Sequence, residues 1–198
     1  MSEANVSLDP NENAVTDELR VDRAANGVVT LTLNRPHVKN AITGEMWEPL
    51  RQIFQEVRET ESDLALVITG AGGAFCAGAE LSGSMAEGGH PLNAMHDVNA
   101  AALALHTLTK PTIAKVGGDA VGAGMNLALG CDLVVAGESA RFSEIFARRG
   151  LSVDFGGTWL LPRIVGMHKA KELSLLAEIL SAREAMELGV VNRAAGWK

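Results

Sequence analysis

Phe75-Cys76-Ala77-Gly78-Ala79-Glu80-Leu81 and Gly122-Ala123-Gly124-Met125-Asn126-Leu127 decide how this chain is read. Each is a glycine-rich turn that follows a strand-like run and leads into a helix-like run. Turns of this kind leave several backbone N–H groups without internal partners, in a setting that favours negative charge. Two of them facing each other could hold one oxyanion between two main-chain donors.

Working outward, Val28-Val29-Thr30-Leu31-Thr32-Leu33 alternates apolar and polar side chains and reads as a half-buried strand ended by Asn34-Arg35-Pro36. Thr43 is a candidate cap for a helix with Met46, Leu50, Ile53, Phe54 and Val57 on one face. Leu64 to Ile68 is a continuous apolar run, which suits a strand covered on both sides. Gly83 to Pro91 reads as a loop, and a second helix is expected from Asn93 to Leu108, before Lys110-Pro111. Thr112 to Val116 and Leu133 to Ala136 are further strands, with a helix over Gly122 to Gly130 between them. Gly156-Gly157-Thr158 opens a helical region with Thr158 as candidate cap, and Ser181-Ala182-Arg183-Glu184-Ala185 opens another. Strand and helix recur roughly every 45 residues, which favours a repeated strand–strand–helix unit over a simple alternating sheet.

The bulk properties suit a compact α/β enzyme: 198 residues, 47% hydrophobic, 21 glycines. A net charge of −7 argues against nucleic acid and anionic membranes as partners. Residues 1–18 are acidic and polar and read as a mobile extension, with residues 19–198 as the core domain. Cys76 and Cys131 read as free thiols in a reducing compartment. No apolar run approaches the roughly 20 residues of a membrane span. The N-terminus lacks the order of a signal peptide, so a cytoplasmic location is expected. The five histidines lack metal-ligand spacing, and no metal site is expected.

Four pieces stand in register. They are Asn34-Arg35-Pro36 with Asn40-Ala41, the turn at 75–81, Gly122-Ala123-Gly124 with Cys131-Asp132, and Gly156-Gly157-Thr158 with Leu161-Pro162-Arg163. In this order and spacing they resemble the crotonase family, the enoyl-CoA hydratases and isomerases, from about Val21 to Arg193. The resemblance implies a spiral of strand–strand–helix repeats, acyl-CoA substrates with no separate cofactor, and a thioester held by the N–H groups of Ala79 and Ala123. It implies homotrimers or hexamers. It also implies C-terminal helices beyond Arg193, so that the C-terminal helical region here reads as truncated.

The acid–base residues depart from the family. Where its hydratases carry two glutamates, ungapped alignment places Asn126 and Phe146, and neither can transfer a proton. Asp154, in Leu151-Ser152-Val153-Asp154-Phe155-Gly156-Gly157, is the nearby carboxylate, either a proton-shuttle base or a cap for the next helix. Glu144 takes a glutamate's place only if the chain slips by two residues. One carboxylate suffices for an isomerase, whereas a hydratase must also activate water. The readings are therefore an acyl-CoA isomerase using Asp154, a hydratase using Glu144 or Asp154, or a non-catalytic acyl-CoA binder. By the same resemblance, CoA lies near the Arg35–Ala41 loop, with Arg35 and Lys39 as candidate phosphate contacts, and along the turn of Ala77, Glu80 and Leu81. Gly124, Asn126 and Phe146 complete the expected substrate-binding set. Cys76 is read as packing, since nothing basic pairs with it in the sequence.

Overall fold

The alternation at Val28–Leu33 buries Val29, Leu31 and Leu33 completely, as a strand with one covered face requires. The computed structural model describes residues 14–81 and 91–195. Its strands are β1 (Ala14–Thr16), β2 (Leu19–Arg23), β3 (Val28–Leu33), β4 (Ala65–Gly70), β5 (Thr112–Val116), β6 (Asp119–Val121), β7 (Leu133–Gly137), β8 (Arg141–Ser143), β9 (Leu180–Ser181) and β10 (Arg193–Ala195). Its helices are α1 (Trp47–Glu59), α2 (Pro91–His106), α3 (Ala123–Leu129), α4 (Gly157–Val165), α5 (Met167–Leu176) and α6 (Ala182–Glu187).

Seven strands form the main sheet in the order β1-β2-β3-β4-β5-β7-β10. The β1–β2–β3 edge is antiparallel and every pairing from β3 onward is parallel. A parallel neighbour needs a crossover, which α1 supplies between β3 and β4 and α2 between β4 and β5. The second strand of each later repeat leaves the main sheet: β6, β8 and β9 form a separate three-stranded sheet. The expected strand–strand–helix unit is thus present, with its two strands in different sheets. Bridges between Ile42 and Ala79 and between Cys76 and Ala120 stitch the intervening turns to that second layer.

Leu50, Ile53, Phe54 and Val57 form the buried stripe of α1, and Phe75, Phe142 and Phe155 join them in one continuous core. α3 is buried along its whole length. Among the described residues, no helix is long and apolar enough to cross a membrane.

Three expectations need correction. Ala14–Thr16, inside the stretch read as a mobile extension, pairs with β2, so the sheet begins before residue 19; residues 1–13 lie outside the described residues. Leu64 is 62% exposed and precedes β4 instead of opening it. Thr158 does not cap α4. Gly156 holds that position with φ 77°, and no side chain caps the helix. The loop expected at Gly83 to Pro91 lies outside the described residues up to Pro91, which opens α2.

Asn40 fastens the 35–41 loop to the end of β4. It is fully buried with φ 59°, a conformation asparagine tolerates better than most residues. Its amide donates to the carbonyls of Ala71 (2.8 Å) and Ala74 (2.9 Å), while its Oδ1 accepts from the Arg35 N–H (2.9 Å). Replacing Asn40 with Ala orphans three partly buried groups. Urea unfolding is expected to show a loss of about 2–4 kcal/mol.

Candidate active site

The two glycine turns meet: Gly78 packs against Val121 and Ala123, and Gly124 against Cys76. Ile42 N–H donates to the Gly78 carbonyl (2.9 Å) and Glu80 N–H to the Ile42 carbonyl (2.8 Å), so both groups flanking Ala79 are spent on one side of the chain. Val121 N–H donates to the Cys76 carbonyl (2.9 Å), and Gly122 N–H to the Ser143 carbonyl (2.8 Å). The N–H groups of Ala79 and Ala123 find no partner among the described residues. Neither alanine has a positive φ, so the missing glycine at 123 costs nothing in backbone strain.

The approach is close enough to forbid side chains. A Cβ on Gly78, at φ 95°, would lie 2.8 Å from the Val121 oxygen and 3.4 Å from the Ala123 nitrogen. A Cβ on Gly124 would lie 2.3 Å from the Cys76 oxygen. Ala79 and Ala123 both line a cavity of ≈ 350 Å³, together with Phe146, Arg149 and Asp154.

Asp154 reaches that cavity because of the backbone that follows it. Phe155 (φ 46°) and Gly156 (φ 77°) are both left-handed, and the turn they make returns the Gly157 N–H to the Asp154 carbonyl (2.9 Å). Asn126 Nδ2 donates to the same carbonyl at 3.0 Å and lies 3.5 Å from Glu144 Oε2. A Cβ on Gly157 would lie 2.4 Å from the Asn126 amide atoms, so the second glycine of the pair makes room for this contact. The Asp154 carboxyl caps nothing: Oδ1 has no partner, and the same holds for Glu144 Oε1 and Asn126 Oδ1.

Burial raises the Asp154 carboxyl to about 6, against a smaller opposing pull from its own N–H. Burial raises Glu144 to about 8; the Asn126 amide opposes this and the neighbouring Asp154 charge adds to it. Glu144 is 1% exposed and lies outside the cavity lining, whereas Phe146, two residues on, lies in it.

The family model described as Enoyl-CoA hydratase/isomerase matches residues 23–196. The chain belongs to this family. It is 40% identical to "1,2-epoxyphenylacetyl-CoA isomerase" of Escherichia coli, over 88% of this chain and 68% of that protein. It is also 40% identical to a "Probable enoyl-CoA hydratase" of Rhodobacter capsulatus, over 84% and 65%. A solved enoyl-CoA hydratase from Mycobacterium smegmatis superposes with a TM-score of 0.85 at 39% identity, covering 90% of this chain and 70% of that one. The chain therefore spans about two thirds of the length of the proteins it matches.

Around the crotonase-type cavity, the expected residues divide into two groups. Ala41, Ala77, Glu80, Leu81 and Phe146 line it with the two alanines and Asp154; Arg35, Lys39, Gly124 and Asn126 do not. Arg35 is only 11% exposed and pairs with Glu18 (2.8 Å) and Glu80 (2.7 Å), and it donates to the Ala41 carbonyl (2.7 Å). It closes the loop instead of reaching outward. Lys39 pairs with Asp119 (2.9 Å), which also takes Arg141 (2.8 Å).

Arg149 is the cation that the sequence reading missed. It ends the 3-10 turn Ile145–Arg149 ahead of left-handed Gly150, and its signal was the Arg148-Arg149-Gly150 run. Burial pushes the Cys76 thiol up to about 12, and its sulfur takes the Gly78 N–H (3.4 Å), as packing requires. Among the described residues, no group of three His, Cys, Asp or Glu could hold a metal ion.

Both carboxyl groups hold their protons more tightly folded than unfolded. The stability they contribute is full below their unfolded values and is lost as pH rises through about 6 for Asp154 and about 8 for Glu144. Glu144→Gln removes the larger liability. Its unfolding free energy relative to the parent is expected to grow from pH 5 and level off above about pH 8, on the order of a few kcal/mol. Denaturant titrations across that range measure it.

Proposed function

We propose that the protein is an acyl-CoA enzyme that stabilises a thioester enolate, and that the reaction is migration of a double bond. The carrying observation is that Asp154, with its Oδ1 unpartnered, lines the same cavity as the two unpartnered N–H groups of Ala79 and Ala123. The thioester oxygen sits between the two amides. Asp154, as carboxylate, takes a proton from a substrate carbon. The C–H bond breaks, an O–H bond forms, and the electron pair moves to the thioester oxygen, where the two donors meet it. The proton then returns from Asp154 to a different carbon, and the enolate collapses to the shifted double bond.

A carboxyl raised to about 6 suits this exchange, because base and conjugate acid are both accessible near neutrality. Arg149 at the cavity wall is the cation we assign to the CoA phosphates, since Arg35 and Lys39 are held in ion pairs. Hydration is the weaker reading. It needs a second group on the water, and Glu144 does not line the cavity. The relatives' names do not choose, as an isomerase and a probable hydratase are equally similar. We also infer self-association into trimers or hexamers, supported by exposed Trp159, Met167, Leu175 and Leu176; a monomer by light scattering at micromolar concentration would count against it.

The decisive assay offers a 3-enoyl-CoA and crotonyl-CoA to the parent and to Asp154→Asn. Isomerisation is expected, falling by at least about 100-fold in the variant. Hydration that survives the substitution would transfer the reading to a hydratase. Tight acyl-CoA binding without turnover of either substrate would leave a binding protein.

A further inference from the structure

We infer that Asn126 and Glu144 are a positioning pair behind Asp154: the amide tethers the loop that presents the base, and Glu144 carries the cluster's fixed proton. The inference deepens the proposed reaction and rests on it only for its kinetic half.

The geometry is that of one buried amide serving two acidic residues. Asn126 Nδ2 donates to the Asp154 carbonyl (3.0 Å) and faces Glu144 Oε2 (3.5 Å). Each of the three residues keeps one buried side-chain oxygen with no donor: Asn126 Oδ1, Glu144 Oε1 and Asp154 Oδ1. Oxygens so placed are all acceptors unless one of them bears a proton, and an orphaned buried acceptor is costly. Asparagine cannot bear it. Asp154 faces the cavity, where it must be free to receive a proton from substrate. Glu144 remains, fully buried and outside the cavity.

Among the described residues no cation pairs with Glu144, and the Asn126 amide is the group that opposes its neutral form. Asp154 is the titratable group whose charge reaches it, and that charge favours the protonated form. Arg148 and Arg149 on its own turn form no ion pair with it among the described residues. On α5, packed against that turn, Lys169 is taken by Glu172 at 2.7 Å, and neither His168 nor Lys171 pairs with Glu144. Kept neutral, Glu144 leaves Asp154 as the one charge of the cluster. Ionised, it would set a second negative charge against both the base and the enolate.

The test compares the parent, Glu144→Gln and Asn126→Ala. In the parent, kcat/KM is expected to rise as Asp154 ionises and to fall again as Glu144 ionises near about 8. Glu144→Gln, isosteric and always neutral, should keep the acid limb and lose the alkaline fall. Asn126→Ala should lower kcat about tenfold with KM changed less than about twofold, because the base is mispositioned while binding is untouched.

Infrared spectroscopy at neutral pH gives a readout independent of turnover. A carboxylic-acid C=O band should be present in the parent and in Asp154→Asn, and absent in Glu144→Gln. Superimposable pH profiles for the parent and Glu144→Gln, or a band that persists in that variant, would overturn the inference. If no acyl-CoA is turned over at all, the reaction reading fails and the infrared band alone still decides the state of Glu144.

Discussion

Everything in this site depends on how closely two turns can approach. Gly78 and Gly124 lie where a Cβ would run into the opposing main chain, 2.8 Å from the Val121 oxygen and 2.3 Å from the Cys76 oxygen. That contact is what brings the Ala79 and Ala123 amides to one cavity. The second sheet exists to hold it, since β6 and the Cys76–Ala120 bridge fix one turn against the other. A donor made of backbone and braced by a sheet loses little freedom when charge develops on its acceptor, which is the condition for electrostatic preorganisation.

The acid cluster runs against stability, and the fold accepts that locally. Burying Glu144 and Asp154 without cations favours their neutral forms and makes ionisation a liability at alkaline pH. Left-handed Phe155 adds backbone strain at the same place. The surrounding core holds the loop regardless, through Phe155 itself, which is buried and packs its ring 5.6 Å from Trp47. Strain and desolvation converge on Asp154, which lines the cavity, a pattern expected of functional residues more than of structural ones.

The parts legible in the sequence were those governed by local rules. The alternation of β3, the runs of β5 and β7, the Ser181–Glu184 capping box and both glycine turns follow from spacing and residue type alone. Elements three residues long, such as β6 and β8, left no periodic trace, because their pairing is set by the stacking of turns. Arg35 looked available for phosphate because its partners, Glu18 and Glu80, are far away along the chain. Thr158 looked like a cap because threonine often is one, but the left-handed pair before Gly157 starts the helix two residues earlier. Ungapped alignment put Phe146 at a glutamate's place, and Phe146 lines the cavity. The alignment could not show that Glu144 is buried away from that lining, since a 3-10 turn does not keep strand alternation.

On the proposed reaction, a frame built from main-chain donors lets the proton-transferring residue sit elsewhere than at the two glutamate positions that the resemblance implies for hydratases. The amides of Ala79 and Ala123 do not depend on any side chain, so the carboxylate can be supplied from whichever element borders the cavity. In this chain α3 offers an amide, Asn126, and the loop before α4 offers the acid. The two are linked, because Asn126 holds the Asp154 carbonyl and Gly157 is a glycine so that it can. Restoring a glutamate at 126 would therefore not simply add a second base. It would remove the tether, place a longer side chain against Gly157, and crowd a third carboxyl against the buried Glu144 and Asp154. The absence of glutamate at that position is part of how Asp154 is presented.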